Sequence, residues 1–140
     1  MIRYILIICA ALWLAACTKA AEPHPVIAAH VQAFNAQDAS AMSELQHPDI
    51  EWLSVNGSEV EVAAKGREAL AQAMENMFAS PIKVRGDLRD WSINGPYIAV
   101  TETASWTNNK GEEKAQSALT VYEMEDGLIR RVYYYPEVSG

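Results

Sequence analysis

The sequence predicts an α+β fold in which helices cover one face of a curved, antiparallel sheet. Three observations lead to this prediction. Apolar residues recur at helical spacing in three stretches before residue 80, and Asn56-Gly57 separates two short apolar runs. Four long segments separated by turn-forming residues follow Pro81. Helices that precede a run of strands gather on one side of the sheet, whereas helices that alternate with strands flank a parallel sheet.

Residues 1–16 differ in character from the rest of the chain. Arg3 precedes an unbroken apolar run from Tyr4 to Ala16, which as a helix would span about 20 Å. The hydrocarbon core of a bilayer is about 30 Å thick. The run therefore predicts a secretory signal peptide and not a membrane-spanning helix.

The end of this run, Leu14-Ala15-Ala16-Cys17, resembles the lipobox of bacterial lipoproteins. The resemblance implies that Cys17 is lipidated and becomes the new N-terminus, and that residues 17–25 form a tether. By analogy with enterobacterial sorting, Thr18 in place of Asp implies an outer-membrane lipoprotein in the periplasm. The alternative is plain secretion with an incidental cysteine.

Helical spacing and capping residues define three helices. The first begins at Pro25 and ends at Asn35, and Asp38 can cap a short second helix that His47-Pro48 stops. Gly66 opens the third helix. Its predicted buried stripe follows the i, i+3, i+4, i+7, i+8 pattern and consists of Leu70, Ala73, Met74, Met77 and Phe78.

Alternating segments and turn signals define six strands. The Asn56-Gly57 dipeptide predicts a two-residue hairpin between the first two strands, and the last four follow one another as an antiparallel meander. The predicted strands are 50–55, 58–63, 82–93, 97–107, 112–125 and 128–135. Together with the helices they form one domain over residues 26–140.

Composition excludes several classes of function. The net charge of −7 argues against nucleic-acid binding, which depends on Lys and Arg. Removal of residues 1–16 takes away one basic residue and leaves −8. The predicted domain contains no cysteine, the three histidines of the chain are scattered between tether, helix and loop, and no phosphate-binding loop or nucleophile elbow is present. We therefore expect no metal site and no cofactor.

Three short segments resemble the nuclear transport factor 2-like superfamily, and its SnoaL-like branch most closely. They are 33–38 (AFNAQD) at the end of the first helix, 48–52 (PDIEW) at the first strand and 65–70 (KGREAL) at the third helix. The resemblance covers residues 26–135. It implies a cone-shaped sheet, with a four-strand meander and a hairpin, packed on three N-terminal helices that enclose a pocket. It also implies a possible homodimer through the outer sheet face.

The resemblance allows a comparison with ketosteroid isomerase, which uses a tyrosine, a basic aspartate and a protonated aspartate. Their positions match His30, Ser54 and Leu119. Because Ser54 has no neighbouring base, it is a poor proton acceptor near neutral pH. The match therefore argues against isomerisation by proton shuttling.

His30 and Glu102 are the candidate catalytic residues. His30 lies on the first helix and can titrate near neutral pH. The alternative is a core histidine with a satisfied hydrogen bond. Glu102 follows the alternation of Ile98 and Val100, which places a carboxylate in an apolar row. This row faces either the pocket, where Glu102 could orient His30, or a wet outer surface.

Further residues are candidates for ligand binding. Trp52 and Ser54 share one face of the first strand and could form an aromatic and polar wall, although a core role is the alternative for Trp52. The isomerase match points Tyr134 inward, and the broader family pattern points Tyr133 inward. Leu119 is a further candidate for ligand binding, because it matches the position of the protonated aspartate of ketosteroid isomerase.

These patterns predict three functions in order of preference. The first is a membrane-anchored periplasmic domain that binds a small apolar or amphipathic molecule. The second is a lyase, hydrolase or isomerase that uses His30 with Glu102. The third is a non-catalytic dimeric scaffold whose pocket is filled by Trp52, Met74 and Phe78.

Overall fold

The structure, a computed structural model, describes residues 21–139. The predictions for the signal peptide, Cys17 and Thr18 therefore lie outside the described residues. The elements are α1 (Pro25–Asn35), α2 (Ala39–Glu44), β1 (Gln46–Asn56), β2 (Glu59–Lys65), α3 (Arg67–Phe78), β3 (Val84–Asn94), β4 (Tyr97–Thr107), β5 (Glu113–Glu125), β6 (Leu128–Tyr134) and β7 (Val138–Ser139). No helix in the described part of the chain is long and apolar enough to cross a membrane.

The local signals place the helices correctly. Pro25 is the first residue of α1, where the missing N–H costs nothing. The Asp38 carboxylate accepts a 2.9 Å hydrogen bond from the Ala41 amide and caps α2. Gly66 precedes α3 with a φ of 89°, which favours glycine. The three helices that the sequence predicts are confirmed.

The strands form one mixed sheet in the order β2-β1-β6-β5-β4-β3, with β7 beside β5. Strands β3 to β6 form the predicted antiparallel meander, and β1 and β2 form the predicted hairpin. The prediction of a fully antiparallel sheet is wrong in one respect, because β1 pairs with β6 in parallel. The chain crosses from β2 to the far edge of the sheet through α3, so the last long strand borders the first.

The inner face of the sheet, which we define as the side that the helices cover, carries the core. Ile27 of α1 and Leu70 of α3 pack against side chains of β1, β4, β5 and β6. A second cluster joins Met42 and Met74 to the partly buried Trp52 and Phe78. Large side chains therefore fill much of the space between the helices and the sheet.

Asn35 fixes α1 against β3. Its side-chain amide donates to the Gly86 carbonyl at 2.9 Å, and its oxygen accepts from the Gly86 amide at 2.8 Å. A Cβ at Gly86 would lie 3.2 Å from Cγ1 of Val31. The close approach of helix and strand thus depends on a residue without a side chain.

Candidate functional site

Glu102 lies on the inner face of β4. It is in phase with the buried Ile98 and Val100, and it stands opposite Leu88 of β3 and Ala118 of β5. Alternation from two buried neighbours therefore directs the carboxyl toward the interior. Of the two orientations that the sequence allows, the structure has the inward one.

Hydroxyl groups surround this carboxyl. Tyr122 donates a 3.0 Å hydrogen bond from its hydroxyl to Oε2 of Glu102. Thr120 is fully buried beside it, and its Oγ1 completes no hydrogen bond among the described residues. A buried polar atom without a partner is uncommon and costs about 1–3 kcal/mol. Thr120 therefore offers a hydrogen bond to a group that enters from outside.

A cavity of about 80 Å³ opens beside these groups. We call it the Glu102 pocket. Ala104 and Ala118 leave the space, because each places only a methyl group on the inner face of neighbouring strands. The residues that line it are Glu102, Ala104, Gln116, Ala118, Thr120, Tyr134 and Glu137.

The surroundings of the pocket shift the pKa values of its acids. Burial raises the pKa of Glu102 above its usual value, and the hydrogen bond from Tyr122 offsets part of this rise, together with the Thr120 hydroxyl, which lies near the carboxyl without completing a hydrogen bond to it. Burial also raises the pKa values of Tyr122 and Tyr134, and the charge of Glu102 adds to the effect. Both phenols therefore keep their protons, and Glu102 exchanges its proton at a higher pH than an ordinary glutamate.

A second, shallower cavity adjoins the pocket. This Ser54 groove encloses about 340 Å³ and shares Tyr134 and Glu137 with the Glu102 pocket. Its lining residues are Ser54, Val55, Asn56, Tyr134, Tyr135, Pro136 and Glu137. A molecule whose end occupies the pocket can therefore extend along the groove.

A family profile of the SnoaL-like domain matches residues 27–132, which is more than half of the chain. The chain belongs to the SnoaL-like domain family. Comparison with curated proteins gave no significant match.

Solved structures share the fold of this SnoaL-like domain. A ketosteroid-isomerase-like protein from Catenulispora acidiphila, in complex with trimethylamine, has a TM-score of 0.69 and 13% identity, with coverage of 82% of this chain and 87% of the other. An epoxide hydrolase of the LEH-like type from M. tuberculosis has a TM-score of 0.65, 15% identity and coverage of 79% and 78%. A cystatin-fold protein from Novosphingobium aromaticivorans has a TM-score of 0.65, 20% identity and coverage of 78% and 93%. At these identities the likeness establishes the fold alone.

His30 of the SnoaL-like domain is a core residue. It is 3% exposed and does not line the Glu102 pocket. Its Nε2 lies 2.9 Å from Nε2 of Gln46, so a neutral imidazole accepts from the Gln46 amide. Burial lowers the pKa of His30 from 6.5 to about 4. The structure forms no hydrogen bond between His30 and Glu102 in the described part of the chain; instead, Glu102 bonds to Tyr122. The predicted catalytic pairing is therefore not assembled.

Leu119 does not face the pocket, although the sequence comparison made it a candidate for ligand binding. Its side chain is 49% exposed on the outer face, whereas its neighbour Thr120 is buried and lines the pocket. Because successive residues of a strand face opposite sides of the sheet, Thr120 and not Leu119 reaches the pocket.

The two tyrosines of β6 face opposite sides of the sheet. Tyr134 lines the Glu102 pocket. Tyr133 points outward and donates a 3.2 Å hydrogen bond to Glu123, which also accepts from Arg131 at 2.9 Å. Of the two alternatives, the structure supports Tyr134 as the inward tyrosine.

Trp52 and Ser54 contribute in different ways. The Trp52 ring packs edge-on against Tyr134 at a centroid distance of 5.7 Å, and its buried Nε1 has no hydrogen-bond partner among residues 21–139. Ser54 is exposed and lines the Ser54 groove. Trp52 therefore supports the wall of the pocket from the core side, and Ser54 lies outside the pocket itself.

The sequence reasoning missed Tyr122, Thr120 and Glu137. The turn at residues 108–112 sets the register in which Thr107 pairs with Glu113, and that register would have placed Thr120 and Tyr122 on the face of Glu102. No comparable signal marks Glu137, which reaches the pocket after the end of β6.

The arrangement can bind and polarise a small polar group. A carboxyl with a raised pKa can donate or accept a proton at a higher pH than an ordinary glutamate, and Tyr134 adds a donor. The described residues contain no group of three His, Cys, Asp or Glu side chains that could hold a metal ion. The chemistry open to the pocket thus rests on one carboxyl, hydroxyl groups and an aromatic wall.

Proposed function

We propose that this SnoaL-like domain binds a small molecule in the Glu102 pocket while its lipidated N-terminus holds it at the outer membrane of a bacterium. The observation that carries the binding proposal is the buried Thr120 hydroxyl. It has no hydrogen-bond partner among the described residues, and it lines an open cavity next to a carboxyl with a raised pKa. Unsatisfied polar atoms that face a cavity are a site for a ligand.

The cavity limits the size of the group that enters. An apolar cavity of about 150 Å³ holds benzene, and a water molecule takes up about 30 Å³. A volume of about 80 Å³ therefore fits about three non-hydrogen atoms. Trimethylamine, which is bound to the Catenulispora acidiphila protein, has four such atoms, so one methyl group would lie at the mouth of the pocket. A longer ligand would place its remaining atoms in the Ser54 groove.

Ligand binding is tested on the full chain purified in an uncharged detergent. Native mass spectrometry should detect a bound small molecule that leaves when the chain is denatured. Ala118→Leu should abolish the adduct, because the added carbons fill the pocket. Ala115→Leu adds the same atoms at an exposed position of β5 and should retain it. Retention of the adduct in Ala118→Leu would place the ligand elsewhere.

The membrane proposal rests on the lipobox at residues 14–17 and on the short tether. Five residues lie between Cys17 and Pro23, and the six steps from one to the other would span at most about 20 Å. In a bacterial host that processes lipoproteins, the chain should incorporate radiolabelled palmitate and sediment with outer membranes. Cys17→Ala should abolish both. A Cys17→Ala variant that still incorporates palmitate and still sediments with outer membranes would contradict the proposal.

A homodimeric scaffold is the second candidate function. Trp52, Met74 and Phe78 pack together between the helices and the sheet, as a scaffold with a filled interior would have them. Tyr97 and Leu119 are about half exposed on the outer face. Sedimentation of the full chain would then show a dimer that Leu119→Glu dissociates. Ile93→Glu, at a similarly exposed residue in phase with the inner face, is the control.

A further inference from the structure

The charges that line the Glu102 pocket are of one sign. Glu102 and Glu137 both line it, and no Lys or Arg does. Within residues 21–139, every ion pair involves other acids, so neither of these two carboxyls has a cationic partner. A carboxyl that is partly removed from water and unpaired favours the entry of a cation.

The free polar atoms of the pocket are mainly acceptors. Tyr122 occupies Oε2 of Glu102 and leaves Oε1 available to another donor. Thr120 Oγ1 is buried and unpaired, and its lone pairs can accept. An ammonium group carries N–H donors only, so it can bond to Glu102 and Thr120 at the same time.

The remaining surfaces suit a small organic cation. The ring of Tyr134 lines the pocket, and Trp52 holds that ring from behind. Aromatic faces attract cations. Ala104 and Ala118 provide apolar contact for carbon atoms attached to the nitrogen. The volume admits about three non-hydrogen atoms, which is enough for an ammonium nitrogen and two attached carbons.

We propose that the ligand of the Glu102 pocket is a protonated amine whose nitrogen bonds to Glu102 and Thr120 and whose alkyl part contacts Ala104, Ala118 and Tyr134. This inference rests on the proposed function of the same pocket and specifies its ligand class. Atoms beyond the ammonium group extend along the Ser54 groove past Tyr134 and Glu137.

The competing ligand is a neutral carbonyl compound, and pH separates the two. A carbonyl oxygen can accept from a protonated Glu102 as well as from the Thr120 and Tyr134 hydroxyls, and it loses the Glu102 donor on ionisation, whereas an amine pairs with the carboxylate. The other titratable groups around Glu102 are Tyr122, Tyr134 and Glu137, and β3 contributes the apolar Leu88. Both phenols keep their protons, so the response follows Glu102. Affinity for an amine therefore rises with pH, and affinity for a carbonyl falls.

Three probes of four non-hydrogen atoms test the proposal: isopropylammonium, isopropanol and acetone. The isotope-labelled full chain in maltoside micelles is titrated with each and followed through the amide resonances of Thr120, Ala118 and Ala104. Isopropylammonium keeps its proton from pH 5 to pH 8, as lysine does. It should bind with a millimolar dissociation constant that falls at least fivefold over this range. The two neutral probes should not bind at equal concentration.

Variants assign the effect to the two carboxyls. Glu102→Gln should weaken binding of isopropylammonium at least tenfold, and Glu137→Gln about two- to fivefold, because Glu137 is more exposed. Glu61→Gln removes an exposed carboxyl on β2 and should change the affinity less than twofold. If Glu102→Gln does not fold, the pH series on the unmodified chain still tests the proposal.

The outcomes distinguish this inference from the proposed function. Three results would overturn the amine proposal and leave the pocket as a site for another ligand. Acetone could bind more tightly than isopropylammonium, isopropanol could bind equally well, or the affinity for isopropylammonium could fall as the pH rises. If none of the probes shifts the pocket resonances, the amine proposal fails together with the proposal that this pocket binds a small molecule.

Discussion

The Tyr122 hydroxyl donates a 3.0 Å hydrogen bond to Oε2 of Glu102 on the inner face of the sheet. The two residues are not paired across the strands, because Tyr122 stands opposite Ile98 and Glu102 opposite Ala118. Their long side chains reach toward each other along the strands, past the buried Val100 and Thr120. The bond therefore positions the carboxyl at the pocket and gives it a fixed donor.

Tyr122→Phe should lower the free energy of unfolding by about 1–3 kcal/mol, because it leaves Glu102 without this donor. Tyr133→Phe is the matched control. It removes a hydroxyl that bonds to Glu123 on the more exposed outer face and should cost less than about 1 kcal/mol. Urea unfolding measures both, and equal losses would argue against the importance of the inner bond.

Glu102→Gln should become more stabilising as the pH rises. The native pKa of Glu102 is raised by burial, so the wild type loses stability as the pH rises through that native value. Glutamine carries no charge and escapes this loss. The difference in free energy of unfolding between variant and wild type should grow from pH 4 to pH 8. The difference for Glu61→Gln should stay flat, and a flat line for Glu102→Gln would contradict the raised pKa.

His30 should make the fold sensitive to acid. Its native pKa of about 4 lies below the unfolded value of 6.5, so the unfolded state binds the proton first. The stability that His30 contributes is complete above pH 6.5 and is lost as the pH falls to about 4. At about 1.4 kcal/mol per unit, the loss amounts to about 3 kcal/mol.

His30→Gln should remove this part of the pH dependence, whereas His47→Gln should leave it unchanged, because His47 lies near the surface. Thermal unfolding from pH 4 to pH 7 gives the comparison. A wild-type slope that persists in His30→Gln would assign the acid sensitivity to other groups, of which Glu51 is one, because hydrogen bonds to Lys65 and Arg131 lower its pKa.

Gly86→Ala should destabilise the contact between α1 and β3. The added methyl group would meet Val31 at 3.2 Å, and overpacking in a close contact costs about 1–3 kcal/mol. Ala99→Val offers a control on the outer face of the neighbouring strand β4, where a larger side chain should change stability by less than about 1 kcal/mol. Differential scanning calorimetry would register the effect, and an unchanged melting temperature in Gly86→Ala would show that α1 can move away.

Features that depend on neighbouring residues could be predicted from the sequence. The Asp38 cap, the Asn56-Gly57 hairpin and the bounds of α1 each follow from a few adjacent residues, and the structure confirms them. The inward orientation of Glu102 needed one further fact, which is the face of β4 that the helices cover. Alternation alone defines two faces and does not say which of them is buried.

Features that depend on distant residues could not be predicted. The Gln46 partner of His30 comes from the start of a strand that the sequence predicted to begin later. The bond between Tyr122 and Glu102 joins residues that are out of register. Side-chain reach and rotamer decide both contacts, and neither leaves a pattern in the sequence.

The parallel pairing of β1 with β6 has a consequence for how the chain folds. Glu51 and Arg131 lie 80 residues apart, and the two strands can meet only after that loop closes. Closure of long loops is costly in entropy and slows folding. Tyr134 of β6 and Trp52 of β1 form the aromatic wall across this seam. The residues that line the Glu102 pocket come from β4, β5, β6 and the segment after β6, so they can meet before this seam closes. The support from Trp52 is added only when β1 joins β6, and we expect full ligand affinity to appear only in the last kinetic phase of refolding.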